Sequence, residues 1–278
     1  MRQLAFLRQL AVAAAALLLS GCEFNPVRFV WTDTDVNLRF EQSRAYEAQH
    51  PHAGLTLASE YRFAVASDLH LRQDNAPVVA FHRQLNEAQA DFVVYNGDLY
   101  NGKPAFADFA KEALESDTDV PVFYVCGNHD LYYGWETFFD RFGGSSYTFD
   151  VTTAEGTDRY FVLESASATL GQEQFQWLQQ ALQQAQGCRY RIVLTHNNFT
   201  FGGDTNGMFS MDELDTLWAL FAEYRVHLVI SGHSHREDDS EILGVRYLTT
   251  GAFKNGDYGW CRVSAQGLQF DFRHFDYD

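Results

Sequence analysis

The stretch PVFYVCGNHD, Pro121 to Asp130, decides how the chain is read. Its first half is an unbroken apolar run rich in β-branched and aromatic residues, the pattern of a strand buried on both faces. At Gly127 it turns polar and delivers an amide, an imidazole and a carboxylate in succession. The same change recurs at four other places. Tyr61 to Ser67 ends in Asp68-Leu69-His70, and Asp91 to Asn96 ends in Gly97-Asp98. Tyr190 to Leu194 ends in Thr195-His196, and Leu228 to Ser231 ends in Gly232-His233-Ser234-His235. Between these runs lie stretches of helical period. Phe175, Leu178, Ala181, Leu182 and Ala185 form one stripe, with Gly187 where a C-terminal cap belongs. Ser210-Met211-Asp212-Glu213 is a capping-box pattern ahead of Leu214, Leu217, Trp218 and Phe221. Strands alternating with helices define an α/β protein.

In open α/β sheets, ligands gather beyond the carboxyl ends of the strands. Five of the ten histidines fall in the five polar clusters. One histidine at a strand end is usually a hydrogen-bonded structural residue, but five in register need another explanation. A pair of divalent cations about 3.5–4 Å apart uses such a set. Imidazole mixed with carboxylate suits Mn, Fe or Zn better than Mg or Ca, which favour oxygen alone. Asp98, following Gly97 on a central strand, is placed to bridge two ions. Asp68 with His70, and His233 with His235, are two apart and would point the same way in extended chain. Gly127 and Gly232 are expected to let the backbone turn sharply.

The ordered blocks DxH, GD, GNH(D/E), a lone His after a strand, and GHxH resemble those of the calcineurin-like binuclear metallophosphoesterases. Here they span residues 68–235. The resemblance implies a four-layer sandwich, two packed mixed β-sheets flanked by helices, over residues 60–278. It implies one metal held by Asp68, His70, Asp98 and His235, and a second by Asp98, Asn128, His196 and His233. His129 would stabilise a phosphoryl oxygen or protonate the leaving group, with Asp130 orienting its ring. A hydroxide between the metals would attack phosphorus in line, so no Ser or Cys nucleophile is expected. Two departures stand out. His196 is followed by Asn197-Asn198 where many relatives have Pro, which bears on loop shape and substrate preference. Purple acid phosphatases have Tyr three places after the bridging Asp; Asn101 stands there, so no tyrosinate-coloured ferric site is expected.

Length and charge frame these readings. With 278 residues, 46% of them hydrophobic, the chain suits one large domain or at most two small ones. Its net charge of −17 repels phosphate backbones, so no stable nucleic-acid binding is expected, while a small phosphorylated substrate remains compatible with a metal site. Residues 1–21 read as a secretory signal peptide: Arg2 and Arg8 precede an apolar run, Leu10 to Leu19, of only about 15 Å in helical form. Leu19-Ser20-Gly21-Cys22 resembles a bacterial lipobox, which implies acylation of Cys22 and attachment to the extracytoplasmic side of the cell envelope. Residues 22–59 read as a lipid-anchored tether and an irregular strap, with His50 and His52 in solvent-exposed loop. Trp135, Phe138, Phe139 and Phe142 read as a helix core face, leaving Tyr132 or Tyr133 as the candidates for stacking on a base. The loop Phe199 to Met208 reads either as a lid or as a connection. His82, His227 and His274 read as structural. The rival functional class is a non-catalytic lipoprotein that binds metal and a phosphate ligand.

Overall fold

The computed structural model describes residues 34–200 and 207–277. The readings of residues 1–21, of Cys22 and of the tether as far as residue 33 therefore lie outside the described residues. The first elements are helix α1 (Val36–Gln49) and strands β1 (Leu55–Thr56) and β2 (Tyr61–Ala66), then α2 (Ala76–Glu87) and β3 (Phe92–Asn96). Next come α3 (Pro104–Glu115), β4 (Val122–Val125), α4 (Trp135–Phe142), β5 (Tyr147–Thr153), β6 (Gly156–Leu163) and α5 (Gly171–Gln184). The last part holds β7 (Arg191–Thr195), α6 (Met211–Glu223), β8 (Leu228–Ser231), β9 (Asp238–Ile242), β10 (Val245–Thr249), β11 (Asp257–Ser264) and β12 (Gly267–His274).

Two mixed sheets form. One has seven strands in the order β1-β5-β6-β7-β8-β10-β9, the other five in the order β12-β11-β2-β3-β4. Their facing sides share a core of Phe63, Val65, Val94, Phe123, Val162, Ile192 and Ile230 with their neighbours. The outer face of the five-stranded sheet packs Tyr95 and Val93 against Val78 and Phe81 of α2, Ala107 of α3 and Phe138 of α4. The outer face of the other packs Phe161 and Val193 against Leu178 of α5 and Leu217 of α6. The result is the α/β four-layer sandwich, helices outside two stacked sheets.

Register places the chemistry. β2, β3 and β4 run parallel, with Ala66 opposite Tyr95 and Asn96 opposite Val125. β7 and β8 are likewise parallel, with Leu194 opposite Ile230. All five polar clusters therefore leave the sheets at their carboxyl ends.

The irregular strap needs correction. Val36–Gln49 is a helix, capped by the Asp35 carboxylate, which accepts from the Asn37 N–H at 2.8 Å. Its buried residues are Arg39, Phe40, Ser43 and Glu47, a face that is mostly polar and therefore shows no apolar stripe. Arg39 is fully buried; its Nε donates to Glu164 Oε2 at 2.8 Å and its Nη2 to Ser167 Oγ at 2.8 Å. His52 is not a free loop residue either, since its ring stacks on Tyr147 with centroids 3.6 Å apart. Gly187 does not cap α5, which ends at Gln184 with Ala185 as its cap. Ser210 does cap α6, accepting from the Glu213 N–H at 3.2 Å. The Glu213 carboxylate completes no box; it accepts from Leu170 N–H and Thr169 Oγ1 instead.

Candidate metal centre

The clusters after β2, β3, β4, β7 and β8 converge on one place. Asp68, His70 and His235 bring one ligand atom each within 4.8 Å of one another, and so do Asp98, His196 and His233. Asp98 faces both sets: its Oδ2 lies 3.7 Å from His70 Nε2 and its Oδ1 3.3 Å from His196 Nε2. His235 Nε2 stands 3.0 Å from Asp68 Oδ1 and 3.4 Å from His70 Nε2. A third trio, His70, Asp98 and His129, meets the same distance limit.

The backbone reaches this arrangement by a route that alternation does not give. Asp68, His70, Asp98, His233 and His235 have φ of 60°, 48°, 53°, 66° and 55°, all left-handed. The extended-chain reading of the DxH and HxH pairs is therefore corrected: tight turns, not strand alternation, aim both members inward. Left-handed backbone costs a non-glycine residue about 1 kcal/mol or more. Cross-loop hydrogen bonds hold it, Asp68 N–H to Gly97 O at 3.0 Å and His70 N–H to Asp98 O at 2.8 Å. Gly127 and Gly232 also serve differently from expectation, because neither has positive φ. A Cβ on Gly232 would strike Ser67 Oγ, and one on Gly127 would strike the Asp98 backbone, so both allow loops to pack closely.

Side chains are oriented from behind. Asp68 Oδ2 accepts from Ser67 Oγ at 2.7 Å and from the His233 N–H at 2.9 Å, turning Oδ1 to the centre. His196 Nδ1 lies 2.9 Å from Asn96 O, which fixes it as the donor and presents the Nε2 lone pair inward. Ser67 and the Asn96 carbonyl escaped the sequence reading, since a small polar residue and a main-chain oxygen carry no signal there. Asn197 and Asn198, standing where relatives have Pro, are buried and bonded to Ser165 Oγ, Gly207 O and Thr249 Oγ1. Of the loop Phe199 to Met208, read as a lid or as a connection, residues 201–206 lie outside the described residues.

Asn128 tests whether a cation fits. It is 6% exposed, and neither of its amide atoms has a hydrogen-bond partner. Asp68 Oδ1 and His196 Nε2 are also buried without a well-directed hydrogen bond, although charged neighbours stand nearby. A buried amide left unsatisfied costs about 1–3 kcal/mol, so such a set is built for something to complete it. Mixed imidazole, carboxylate and amide donors fit a borderline divalent cation.

Charge is already delicately placed. Burial would raise the Asp98 carboxyl, but His196 and His129 hold it well below the usual range. Burial opposes a charge on His196, yet Asp98 and Asp68 raise it to about 10. Burial takes His70 the other way, down to about 4. Without metal, His196 thus holds a proton against the carboxylates and His70 does not.

His129 sits at the mouth, its side chain 25% exposed and its Nε2 3.8 Å from Asp98 Oδ2. Tyr132 packs edge-on to it at 4.6 Å, while Tyr133 is 40% exposed. Asp130 does not play the role given to it. Its Oδ1 accepts from the Leu99 and Tyr100 N–H groups at 2.8 and 3.3 Å, and its Oδ2 from the Gly127 N–H at 2.8 Å. It ties two ligand-bearing loops together rather than orienting an imidazole.

A family model for the calcineurin-like phosphoesterases matches residues 61–237. The chain belongs to that family. No curated protein matches the sequence. Among solved structures, the chain is similar to GAP50, "the anchor in the inner membrane complex of Plasmodium", with TM-score 0.61 and 16% identity over 78% of this chain and 85% of that one. It is similar to a dimetal phosphatase from Danio rerio, with TM-score 0.59 and 12% identity over 78% and 99%. It is also similar to a purple acid phosphatase from yellow lupin, with TM-score 0.58 and 15% identity over 81% of this chain and 52% of the plant enzyme. At such identities these likenesses concern the fold.

Proposed function

We propose that the protein hydrolyses phosphomono- or phosphodiesters with two divalent cations, Mn, Fe or Zn. Asp68, His70, Asp98 and His235 would hold one, and Asp98, Asn128, His196 and His233 the other. The observation that carries this reading is the convergence of two ligand trios on either side of Asp98, with the buried Asn128 amide, next to the residue whose N–H binds Asp98, left unsatisfied. When bound, such a pair supplies a nucleophile at neutral pH and neutralises charge on the phosphoryl oxygens. Asp98 sets the spacing by facing both positions. Ser67 and the Asn96 carbonyl keep Asp68 and His196 aimed, and Asp130 holds the loops of Asp98 and Asn128 in register. His129, at the open side, donates to a phosphoryl or leaving-group oxygen. The chain is tethered through an acylated Cys22 to the extracytoplasmic face of a bacterial envelope membrane; among the described residues no helix is long and apolar enough to cross one.

The test is turnover of p-nitrophenyl phosphate and bis(p-nitrophenyl) phosphate by purified protein with Mn²⁺ and with a chelator. Metal-dependent release of nitrophenol is expected. No turnover of these or of a wider ester panel would overturn the hydrolase. It would favour the non-catalytic lipoprotein that binds metal and a phosphate ligand.

A further inference from the structure

A cavity of about 430 Å³ opens beside His70. One side is formed by Leu71 and Arg72, which continue the DxH turn, and the other by Phe253, Lys254 and Tyr277. The loop carrying Phe253 and Lys254 is docked on the ligand turn through its backbone, with Phe253 N–H to Ser67 O at 2.8 Å and Lys254 N–H to Asp68 O at 3.4 Å. Tyr277 Oη donates to Lys254 O at 2.9 Å and closes the far end. The residue that departs from the purple acid phosphatase pattern finds its use here. Asn101 donates its N–H to Leu71 O at 3.0 Å. Its amide, with the oxygen turned to the guanidinium as the donors require, accepts from Arg72 Nε at 2.8 Å and Nη2 at 2.5 Å. Arg72 is therefore positioned rather than adrift.

The charge of this groove is out of character for the chain. On a protein of net charge −17, Arg72 and Lys254 are exposed and neither has a carboxylate partner among the described residues. The carboxylate in the cavity wall, Asp74, is engaged at the start of α2, where it accepts from the Ala76 N–H at 3.0 Å. Leu69, Leu71 and Pro77 give the cavity an apolar side that suits a short carbon skeleton. His70 belongs to a ligand trio and also lines the groove, so the groove opens directly onto the metal centre.

We infer that the groove is a specificity subsite for the alcohol portion of the substrate, in which Lys254 and Arg72 bind a second anionic group, carboxylate or phosphate, carried on that portion. The inference rests on the phosphoesterase reading for the location of the first phosphoryl group. Asn101 is a positioning residue that acts through Arg72.

Calorimetric titration of the full-length, Mn²⁺-loaded protein tests it with three probes. Glycerol 3-phosphate has an uncharged arm, 3-phosphoglycerate a carboxylate arm and fructose 1,6-bisphosphate a phosphate arm. Wild type is expected to bind at least one anionic-arm probe about tenfold tighter than glycerol 3-phosphate, and the tighter arm identifies the second anion. Lys254→Ala and Arg72→Ala should each remove most of that preference, and Asn101→Ala a smaller part. Equal binding of all three probes by wild type would overturn the subsite, as would variants that weaken all three in the same proportion. Failure of ester turnover with the preference intact would sink the hydrolase and leave the anion subsite standing. Turnover without the preference would do the reverse.

Discussion

Arg39 and Glu164 are buried together where α1 meets the body, and Asp68, Asp98 and His196 are buried together at the sheet edge. In the first cluster the remaining polar atoms are used up. Glu164 Oε1 accepts from the Ala166 N–H at 2.9 Å, and Arg39 Nη1 reaches Thr34 O at 2.5 Å. In the second, Asn128 stands buried with nothing to bond and two imidazoles are driven to opposite charge states. A satisfied buried network fixes structure; an unsatisfied one is held open for a ligand. The two are joined through Ser165, which follows Glu164 and accepts at Oγ from Thr195 Oγ1 at 2.7 Å and from the Asn197 N–H at 2.9 Å. The helix that sequence passed over thus braces the loop of His196.

The comparison breaks most sharply at Asp98. Asp98→Asn keeps an acceptor for the His129 N–H but removes the charge that faces both trios, so ester turnover should fall about a thousandfold. In the metal-free protein the same change removes the charge that keeps the buried His196 protonated, so the urea midpoint at neutral pH should fall as well, and an unchanged midpoint would contradict that pairing. Next is Arg39→Met, which strands the Glu164 charge and should cost about 3–5 kcal/mol by urea unfolding. Adding Glu164→Leu should restore at least half of that loss, while the folded variant keeps its metal by elemental analysis. A single variant that costs nothing would show that the Arg39–Glu164 pair contributes no stability.

His129→Ala should lower turnover about a hundredfold with metal content unchanged. Loss of metal would reassign His129 as a ligand, which its place beside His70 and Asp98 permits. The smallest effect is in pH. His196 has its folded value raised from 6.5 to about 10, so its charged form stabilises the metal-free fold fully below about pH 6.5, and that contribution is lost as pH rises through about 10. Asp98, held low, contributes above its ordinary value of 3.8 and ceases to as pH falls well below it. Thermal midpoints in chelator should therefore fall from near-neutral to alkaline pH. Saturating Mn²⁺ should flatten that slope, because a ligating imidazole is already neutral. A metal-free midpoint that rises over the same interval would contradict the assignment of the proton to His196.

These differences also explain what was legible. Strand ends such as Leu228–Ser231 were readable because a doubly buried strand must be apolar, and their clusters because metal chemistry restricts residue type. α1 was not, since its buried face is Arg39, Ser43 and Glu47 as much as Phe40. β9, Asp238–Ile242, was hidden for a related reason: it is a sheet edge, where acidic side chains discourage pairing with another chain. The left-handed turns at Asp68 and His233 went unseen because neither is glycine. Lys254 was invisible because what brings it to the centre is a main-chain hydrogen bond. Asp130 was legible as important and misread in role, its three N–H donors having no signature in side-chain type.

Elemental analysis of the Mn²⁺-exposed, desalted protein, set beside Asp98→Asn, bears most directly on the whole scheme. About two ions per chain in wild type and far fewer in the variant would agree with a shared carboxylate gripping a cation pair. A wild-type protein that emerges without metal, or a variant that retains as much, would show that these converging side chains hold no such pair.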